Sequence, residues 1–200
     1  KLLRRFRESL PDTDVLVEEP MARHTSFRIG GPADVLLRPH TVSDLRRAVS
    51  LTRAAGVPLT VIGNGSNLLV KDGGLRGVVL KVAENLSRIE FNGTRCYAQS
   101  GALLAVVSRT VAVGGGRGLE FACGIPGTIG GGVMMNAGAY GGEMKNVVTQ
   151  VTVVDESGEL RTLSAAECEF GYRRSILQTQ PWIVADIEME LQPDDPERIL

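Results

Sequence analysis

The chain has 200 residues, 43% of them apolar, with a formal net charge of −1; this is the make-up of a folded globular protein with room for one large domain or two small ones. Without a block of Lys or Arg, neither nucleic acid nor an anionic membrane is expected as a partner, since both demand concentrated positive charge. No apolar run reaches the roughly 18 residues of a membrane span, and the charged "KLLRRFRESL" lacks the apolar centre of a signal peptide.

A cytoplasmic location is therefore expected. The three cysteines, Cys96, Cys123 and Cys168, are odd in number and far apart, so they read as reduced thiols rather than a disulfide framework or a Cys-x-x-Cys site. Cys123 reads as a small buried residue. With His24 and His40 as the two histidines, no cluster for a transition metal is expected.

In chain order, Leu2, Leu3, Phe6 and Leu10 predict a helix over about 2–10, stopped by Pro11. "ADVLLRP" reads as a strand closed by Pro39. Leu45, Ala48, Val49 and Thr52 predict a helix over 43–55, with Ser43 as N-cap and Gly56 just past its end. "PLTVIG" and "VVLKV" are short strands, completing a small α/β unit up to Val82. Asn92-Gly93 predicts a hairpin with a type I′ turn. "ALLAVVSRTVAV" is helical and ends at Gly114. "VVTQVTVVDESGELRTL" is a second hairpin, turning at an exposed Glu156-Ser157-Gly158. Ser164 and Glu167 match a capping box opening a short helix. "WIVADIEMEL" alternates as a strand, with Trp182 in the core. Asp194 or Asp195, then Pro196, mark a helix start four residues before the sequence stops, so an incomplete protein is expected. The class is α+β, with a boundary near residue 83: a first domain over 1–83 and a second over 84–200.

Two glycine-bearing segments remain. In "VIGNGSNLLV", a strand runs into Gly63-Asn64-Gly65-Ser66-Asn67. Glycines let consecutive N–H groups converge on one concavity suited to a phosphate or pyrophosphate. It is neither a P-loop, lacking Gly-Lys-Ser/Thr, nor a dinucleotide fingerprint, since Leu68 stands at the third glycine position. An ordinary tight turn accounts for the same residues. The second segment, "GIPGTIGGGVMMNAGAYGG" over 124–142, holds eight of the chain's 24 glycines and no charge. A flat neutral ligand could approach this backbone, with Ile129, Met134 and Met135 as an apolar wall and Asn136 bonding a polar ring edge. Close packing against a neighbouring helix explains it equally well. Together, the two segments suggest a long ligand with a diphosphate and an aromatic head, such as a flavin dinucleotide.

"HTSFRIGGPAD", "VIGNGSNLLV", "LEFACGIPGTIGGGVMMNAGAYGGE" and "FGYRRSIL" occur in that order. The chain thereby resembles the UDP-N-acetylenolpyruvoylglucosamine reductases, the MurB flavoenzymes of bacterial peptidoglycan synthesis. The resemblance runs from about Ala22 to Leu200 and is nearer the shorter, type II branch. It implies two α/β subdomains of the vanillyl-alcohol-oxidase/PCMH-type FAD-binding fold, with the C-terminal substrate domain absent from this chain. It implies FAD as cofactor, NADPH as hydride donor, and a UDP-linked enolpyruvyl amino sugar as substrate, reduced to UDP-N-acetylmuramate by a monomer. Position by position, it implies that Gly63, Asn64, Gly65, Ser66 and Asn67 cradle the pyrophosphate, and that Gly101 and Ala102 contact FAD. Gly124, Ile125, Pro126, Gly127, Thr128, Gly130 and Gly131 would form the wall beside flavin and diphosphate, and Asn136, Ala137 and Gly138 would lie near the isoalloxazine. Arg173 falls on the catalytic arginine and Tyr172 on a substrate-pocket tyrosine. A guanidinium suits the substrate carboxylate, because its planar fork stays charged and binds two oxygens; a surface arginine paired with a nearby Glu is the plain alternative. The family's proton-donor serine and assisting glutamate have no counterpart in these residues, and His24 stands where the family usually has Asn. Two other readings stand beside this one: another flavoprotein oxidase of the same fold, and an FAD-binding module without complete turnover.

Overall fold

The computed structural model describes residues 1–199, which divide into two compact units: residues 1–86 with 154–160, and residues 87–153 with 161–199.

The first unit opens with α1 (Leu2–Ser9), whose Phe6 is fully buried while Arg4, Arg5 and Arg7 face water. β1 (Thr13–Pro20) follows, a strand the periodicity did not announce. It is an edge strand, half-buried along most of its length and carrying Glu18 at φ 52, so it shows no clean two-residue alternation. β2 (Pro32–Pro39) pairs antiparallel with it. α2 (Val42–Ala54) buries Leu45, Ala48, Val49 and Thr52 as the spacing predicts. Its cap is Thr41 rather than Ser43: Thr41 is extended, and its Oγ1 accepts the Asp44 N–H at 3.1 Å. β3 (Leu59–Ile62) and β4 (Leu75–Lys81) complete a four-stranded sheet of order β1-β2-β4-β3. β4 runs parallel to both neighbours, an arrangement that needs the α2 crossover. Met21, Ala33, Leu36, Ile62, Val70 and Val79 form a core of this unit.

Residues 154–160 join this unit. Arg46 donates to the Gly158 carbonyl at 2.7 Å and pairs with the Glu159 carboxylate at 2.5 Å. Gly158, expected at an exposed turn, is buried, and a Cβ there would lie 2.7 Å from the Arg46 carbonyl oxygen.

In the second unit, β5 (Ile89–Asn92) and β6 (Arg95–Gln99) form the expected hairpin, but Asn92 pairs with Arg95. The turn residues are thus Gly93 and Thr94. Gly93 alone of the two has a positive φ, +63°, the pattern of a type II′ turn and not type I′. α3 (Leu104–Val113) ends at Gly114, as read. β7 (Gly116–Arg117), α4 (Ile129–Met134), and the two-residue strands β8 (Gly138–Ala139) and β9 (Gly142–Glu143) come next. β10 (Val148–Val154), β11 (Leu160–Ser164) and β12 (Ile183–Glu190) build the large sheet, of order β11-β10-β12-β6-β5. β13 (Gln192–Pro193) pairs with β7, and α5 (Pro196–Ile199) closes the described chain, with Asp195 Oδ1 accepting the Glu197 N–H at 3.0 Å.

Val107, Val111, Ile129, Val133, Val151, Val153, Ile187 and Met189 are among the buried side chains of one core, with Trp182 packed at its margin. Ser164 and Glu167 do exchange the capping bonds, Ser164 N–H to Glu167 Oε2 at 2.8 Å and Glu167 N–H to Ser164 Oγ at 3.4 Å. They close a turn instead of opening a helix. Cys123 is exposed, not buried. No described helix is long and apolar enough to cross a membrane, and no described group of three His, Cys, Asp or Glu could hold a metal ion.

Candidate functional site

In the first unit, β3 ends at Ile62 and the chain turns through Gly63–Asn67. Gly65 has φ +65°, and a Cβ there would stand 2.0 Å from the His24 carbonyl oxygen. The Gly65 carbonyl accepts the Ser26 N–H at 3.1 Å. Glycine at 65 is therefore required by the chain's own backbone, which satisfies the tight-turn reading. Asn64 and Asn67 are exposed beside it, so the loop still presents free polar groups to a ligand. Leu68 packs against the unit's core, which explains why no third glycine stands there.

Under this loop lies a cluster that the sequence reading did not single out. His24 is 8% exposed. Its Nε2 sits 3.0 Å from Glu19 Oε1, and its Nδ1 sits 3.5 Å from Lys81 Nζ. An ammonium only donates, so Nδ1 accepts and Nε2 carries the proton donated to Glu19. Lys81 also reaches Glu84 at 3.5 Å. Partial burial pushes the Glu84 carboxyl up, but its backbone hydrogen bond and the Lys81 charge outweigh this and hold it below the ordinary range. Phe27 and Ile29, just after Ser26, and Leu69, two residues past the Gly63–Asn67 turn, are apolar side chains left 62%, 51% and 67% exposed. Phe27 and Ile29 lie in "HTSFRIGG"; an apolar residue in a turn-rich stretch was the available signal.

In the second unit the glycine-rich segment is not one open wall. Backbone hydrogen bonds tie it to residues 100–104: Ile129 N–H to the Ala102 carbonyl at 2.7 Å, Gly130 N–H to Ser100 at 2.9 Å, Leu104 N–H to Gly127 at 3.0 Å. This brings Gly101 and Ala102 together with Gly127, Thr128 and Gly130. Thr128 caps α4 through the Gly131 N–H. A Cβ on Gly130 would meet Ser100 Cβ at 2.7 Å, and one on Gly132 would meet Leu104 at 3.0 Å. At these positions glycine serves helix packing. Gly124 and Gly131 differ: a Cβ on Gly124 meets nothing within 4 Å, and one on Gly131 meets only its own cap, Thr128 Oγ1, at 3.6 Å. The open backbone is thus the turn Gly124–Gly127 and the exposed side of α4. Ile129 and Ala137 are core residues, so the apolar wall expected of Ile129 is not on the surface; Met134 is partly buried against the core.

Asn136, at φ 42, is 2% exposed. Its Nδ2 donates to Glu143 Oε2 at 2.6 Å and to the Gly171 carbonyl at 2.9 Å, and its Oδ1 accepts the Lys145 N–H at 2.9 Å. Both amide N–H groups are spent within the chain, so a bond from them to a ring edge, as first read, is not available. Asn136 instead anchors a second turn. Gly171 and Arg174 exchange backbone hydrogen bonds of 2.9 and 3.2 Å, leaving Tyr172-Arg173 at the tip. Fully buried Ser175 donates to the Met134 carbonyl at 2.7 Å, and Gln178 donates to the Arg173 carbonyl at 3.2 Å. Tyr172 is 92% exposed, and Arg173 is exposed at φ 52. Among the described residues no carboxylate pairs with the Arg173 guanidinium, against the plain surface-pair reading. Glu143 instead takes Lys145 at 2.6 Å; that bond, with the Asn136 amide, outweighs desolvation and holds its carboxyl below the usual range.

A family model described as "FAD binding domain" matches residues 33–164. The chain is 48% identical over 190 residues to the UDP-N-acetylenolpyruvoylglucosamine reductase of Clostridioides difficile (strain 630), covering 95% of this chain and 62% of that protein. It is 44% identical over 200 residues to the protein of the same name from Alkaliphilus oremlandii (strain OhILAs), covering 100% of this chain and 66% of that one. Among solved structures, the UDP-N-acetylenolpyruvylglucosamine reductase (MurB) from Thermus caldophilus superposes with a TM-score of 0.78 at 33% identity, over 94% of this chain and 65% of that one. BBE-like 1 of Physcomitrella patens superposes at 0.71 with 16% identity, over 96% of this chain and 44% of that one, a likeness of fold alone. The chain thus spans about two thirds of the length of the reductases it matches. The α+β fold expected from the sequence is the one found.

Proposed function

The chain belongs to the FAD binding domain family, and from that premise we propose that it is the FAD-holding part of an NADPH-dependent UDP-N-acetylenolpyruvoylglucosamine reductase of peptidoglycan synthesis. The relatives it matches at 44–48% identity carry that name. The observation that carries the reading is the mounting of Arg173. An exposed arginine with no carboxylate partner among the described residues sits at positive φ in a turn flanked by two hydrogen bonds, from the Asn136 amide to Gly171 and from Ser175 to Met134, which tie it to the glycine-rich segment.

Each unit, taken by itself, has residues that suit one part of a flavin dinucleotide. The open backbone at Gly124 and Gly131 admits a flat ring at main-chain distance. The Gly63–Asn67 turn, with exposed Asn64 and Asn67, offers donors for a diphosphate. FAD, when bound, supplies the hydride chemistry that passes reducing power from NADPH to the enolpyruvyl group. Arg173 then holds the substrate carboxylate through two charge-assisted hydrogen bonds, which strengthen as negative charge builds there. Removing such a contact costs on the order of 3 kcal/mol of transition-state stabilisation. Tyr172, next to it at the tip, offers a ring and a hydroxyl to the sugar. An oxidase of the same fold is the weaker alternative: neither His24 nor His40 stands in the glycine-rich segment, where one could tether a flavin.

The test is the visible absorption spectrum of the purified chain before and after anaerobic NADPH. Flavin bands that bleach with NADPH are the expected result. A protein that stays colourless after incubation with FAD refutes FAD binding by this chain; a flavin that is bound but never bleached refutes the NADPH half.

A further inference from the structure

Lys81 is the last residue of β4 and pairs in parallel register with Ile62, the residue that precedes Gly63. Its side chain is 10% exposed. Burying an ammonium is costly unless strong partners repay the lost hydration. The partners here are distant: the His24 Nδ1 at 3.5 Å and the two Glu84 carboxylate oxygens, each at 3.5 Å. Glu84 is itself 55% exposed and is shared with Arg38, so water screens that pair. Glu19 spends its carboxylate on His24 and Arg23. All the contacts of the ammonium thus lie at the outer limit of hydrogen-bond distance.

The location supplies a reason for the burial. In α/β sheets, ligands settle outside the carboxyl ends of parallel strands, and Lys81 stands at such an end, beside the strand from which the glycine loop departs. The residue that orients its ammonium, His24, is also the one whose carbonyl underlies Gly65. The loop contains no cation of its own; "GNGSN" lacks the lysine that a P-loop carries within its sequence. A diphosphate needs positive charge as well as backbone donors.

We propose that Lys81 is the counter-cation for a diphosphate seated on the Gly63–Asn67 loop, delivered from the neighbouring strand and held in line by the His24 Nδ1. This rests on the FAD reading for the identity of the natural ligand, but the anion site is testable without it. The measurement is calorimetric titration of the wild-type chain, Lys81→Met and Lys81→Arg with inorganic pyrophosphate, and in parallel with FAD. The Met variant removes the charge at similar volume, and melting curves check its fold; Lys81→Gln replaces it should it fail to fold.

Lys81→Met is expected to bind pyrophosphate and FAD at least tenfold more weakly than wild type, and Lys81→Arg within about threefold. Raising the salt concentration should weaken wild type more than Lys81→Met, since the lost contact is ionic. Equal pyrophosphate affinity in wild type and Lys81→Met, or no pyrophosphate binding by wild type, overturns the proposal. Loss of binding in Lys81→Arg as complete as in Lys81→Met also overturns it, because the charge would then not be what matters. If pyrophosphate binding depends on Lys81 while no form binds FAD, the FAD reading fails and the anion site stands.

Discussion

The Asn136 side-chain amide donates to the Gly171 carbonyl at 2.9 Å across 35 residues of sequence, joining the glycine-rich segment to the base of the turn that carries Arg173. The same amide donates to Glu143 at 2.6 Å. Asn136→Ala should leave the Gly171 carbonyl without its side-chain donor, at a cost of about 1–3 kcal/mol. Urea denaturation of the two proteins reads that loss. Amide hydrogen exchange at Arg174, whose N–H closes the turn, should accelerate in the variant; unchanged protection would mean that Asn136 does not hold the turn.

Arg173 at φ 52 is in the region that costs a non-glycine residue roughly 1 kcal/mol or more. Arg173→Gly should therefore raise stability by about 0.5–1 kcal/mol, although glycine also loosens the unfolded chain. The same variant should abolish substrate-dependent oxidation of the reduced flavin in a chain that has the remaining third of its relatives' length. A gain in the denaturation midpoint combined with lost turnover marks a residue kept for its side chain against the preference of its backbone. A fall in the midpoint would contradict this.

Gly130 and Gly124 separate packing from ligand contact. Gly130→Ala places a Cβ 2.7 Å from Ser100 Cβ, so it should lower the melting temperature of the chain even without flavin. A Cβ at Gly124 meets nothing within 4 Å, so Gly124→Leu should leave the flavin-free melting temperature unchanged while lowering FAD retention. Gly73→Leu, also open and at no positive φ, is the control that should alter neither. Full FAD content in Gly124→Leu would remove this turn from the flavin site.

Burial pushes the Cys96 and Cys168 thiols up to about 11, whereas Cys123 is exposed. A disulfide reagent at pH 8 should therefore label one thiol in the folded chain and three after unfolding. The pH dependence has a fixed sign. Between about 9, the unfolded value, and 11 the unfolded chain has lost protons that the folded chain keeps. The contribution of these thiols is thus whole below pH 9 and fades as pH rises, by up to about 1.4 kcal/mol per pH unit for each. A denaturation midpoint that stays level from pH 9 to 11 would refute it.

Much of the architecture was legible because it rests on local periodicity. The buried faces of α1 and α2, the alternation of β12, the stop at Gly114 and the order of the site motifs all follow from spacing along the chain. β1 was missed because an edge strand with a positive φ at Glu18 shows no alternation. Turn identities went astray where one position decides them: Thr41 rather than Ser43 caps α2, and Gly93-Thr94 rather than Asn92-Gly93 turns the hairpin.

The site divided in the same way. Its glycine content is a property of the sequence, but which glycines face a ligand and which face Ser100, Leu104 or the His24 carbonyl depends on contacts between residues far apart in the chain. Composition reads Gly124 and Gly130 alike; packing makes one open and the other filled. Likewise the sequence names Arg173, while its strained backbone, the spent amide of Asn136, and the buried Lys81 paired beside the strand that leads into the glycine turn exist only once distant strands and turns meet. Local spacing sets which faces are apolar. The close approach of distant backbones sets which positions must be bare, which polar groups are already satisfied, and which remain for a ligand.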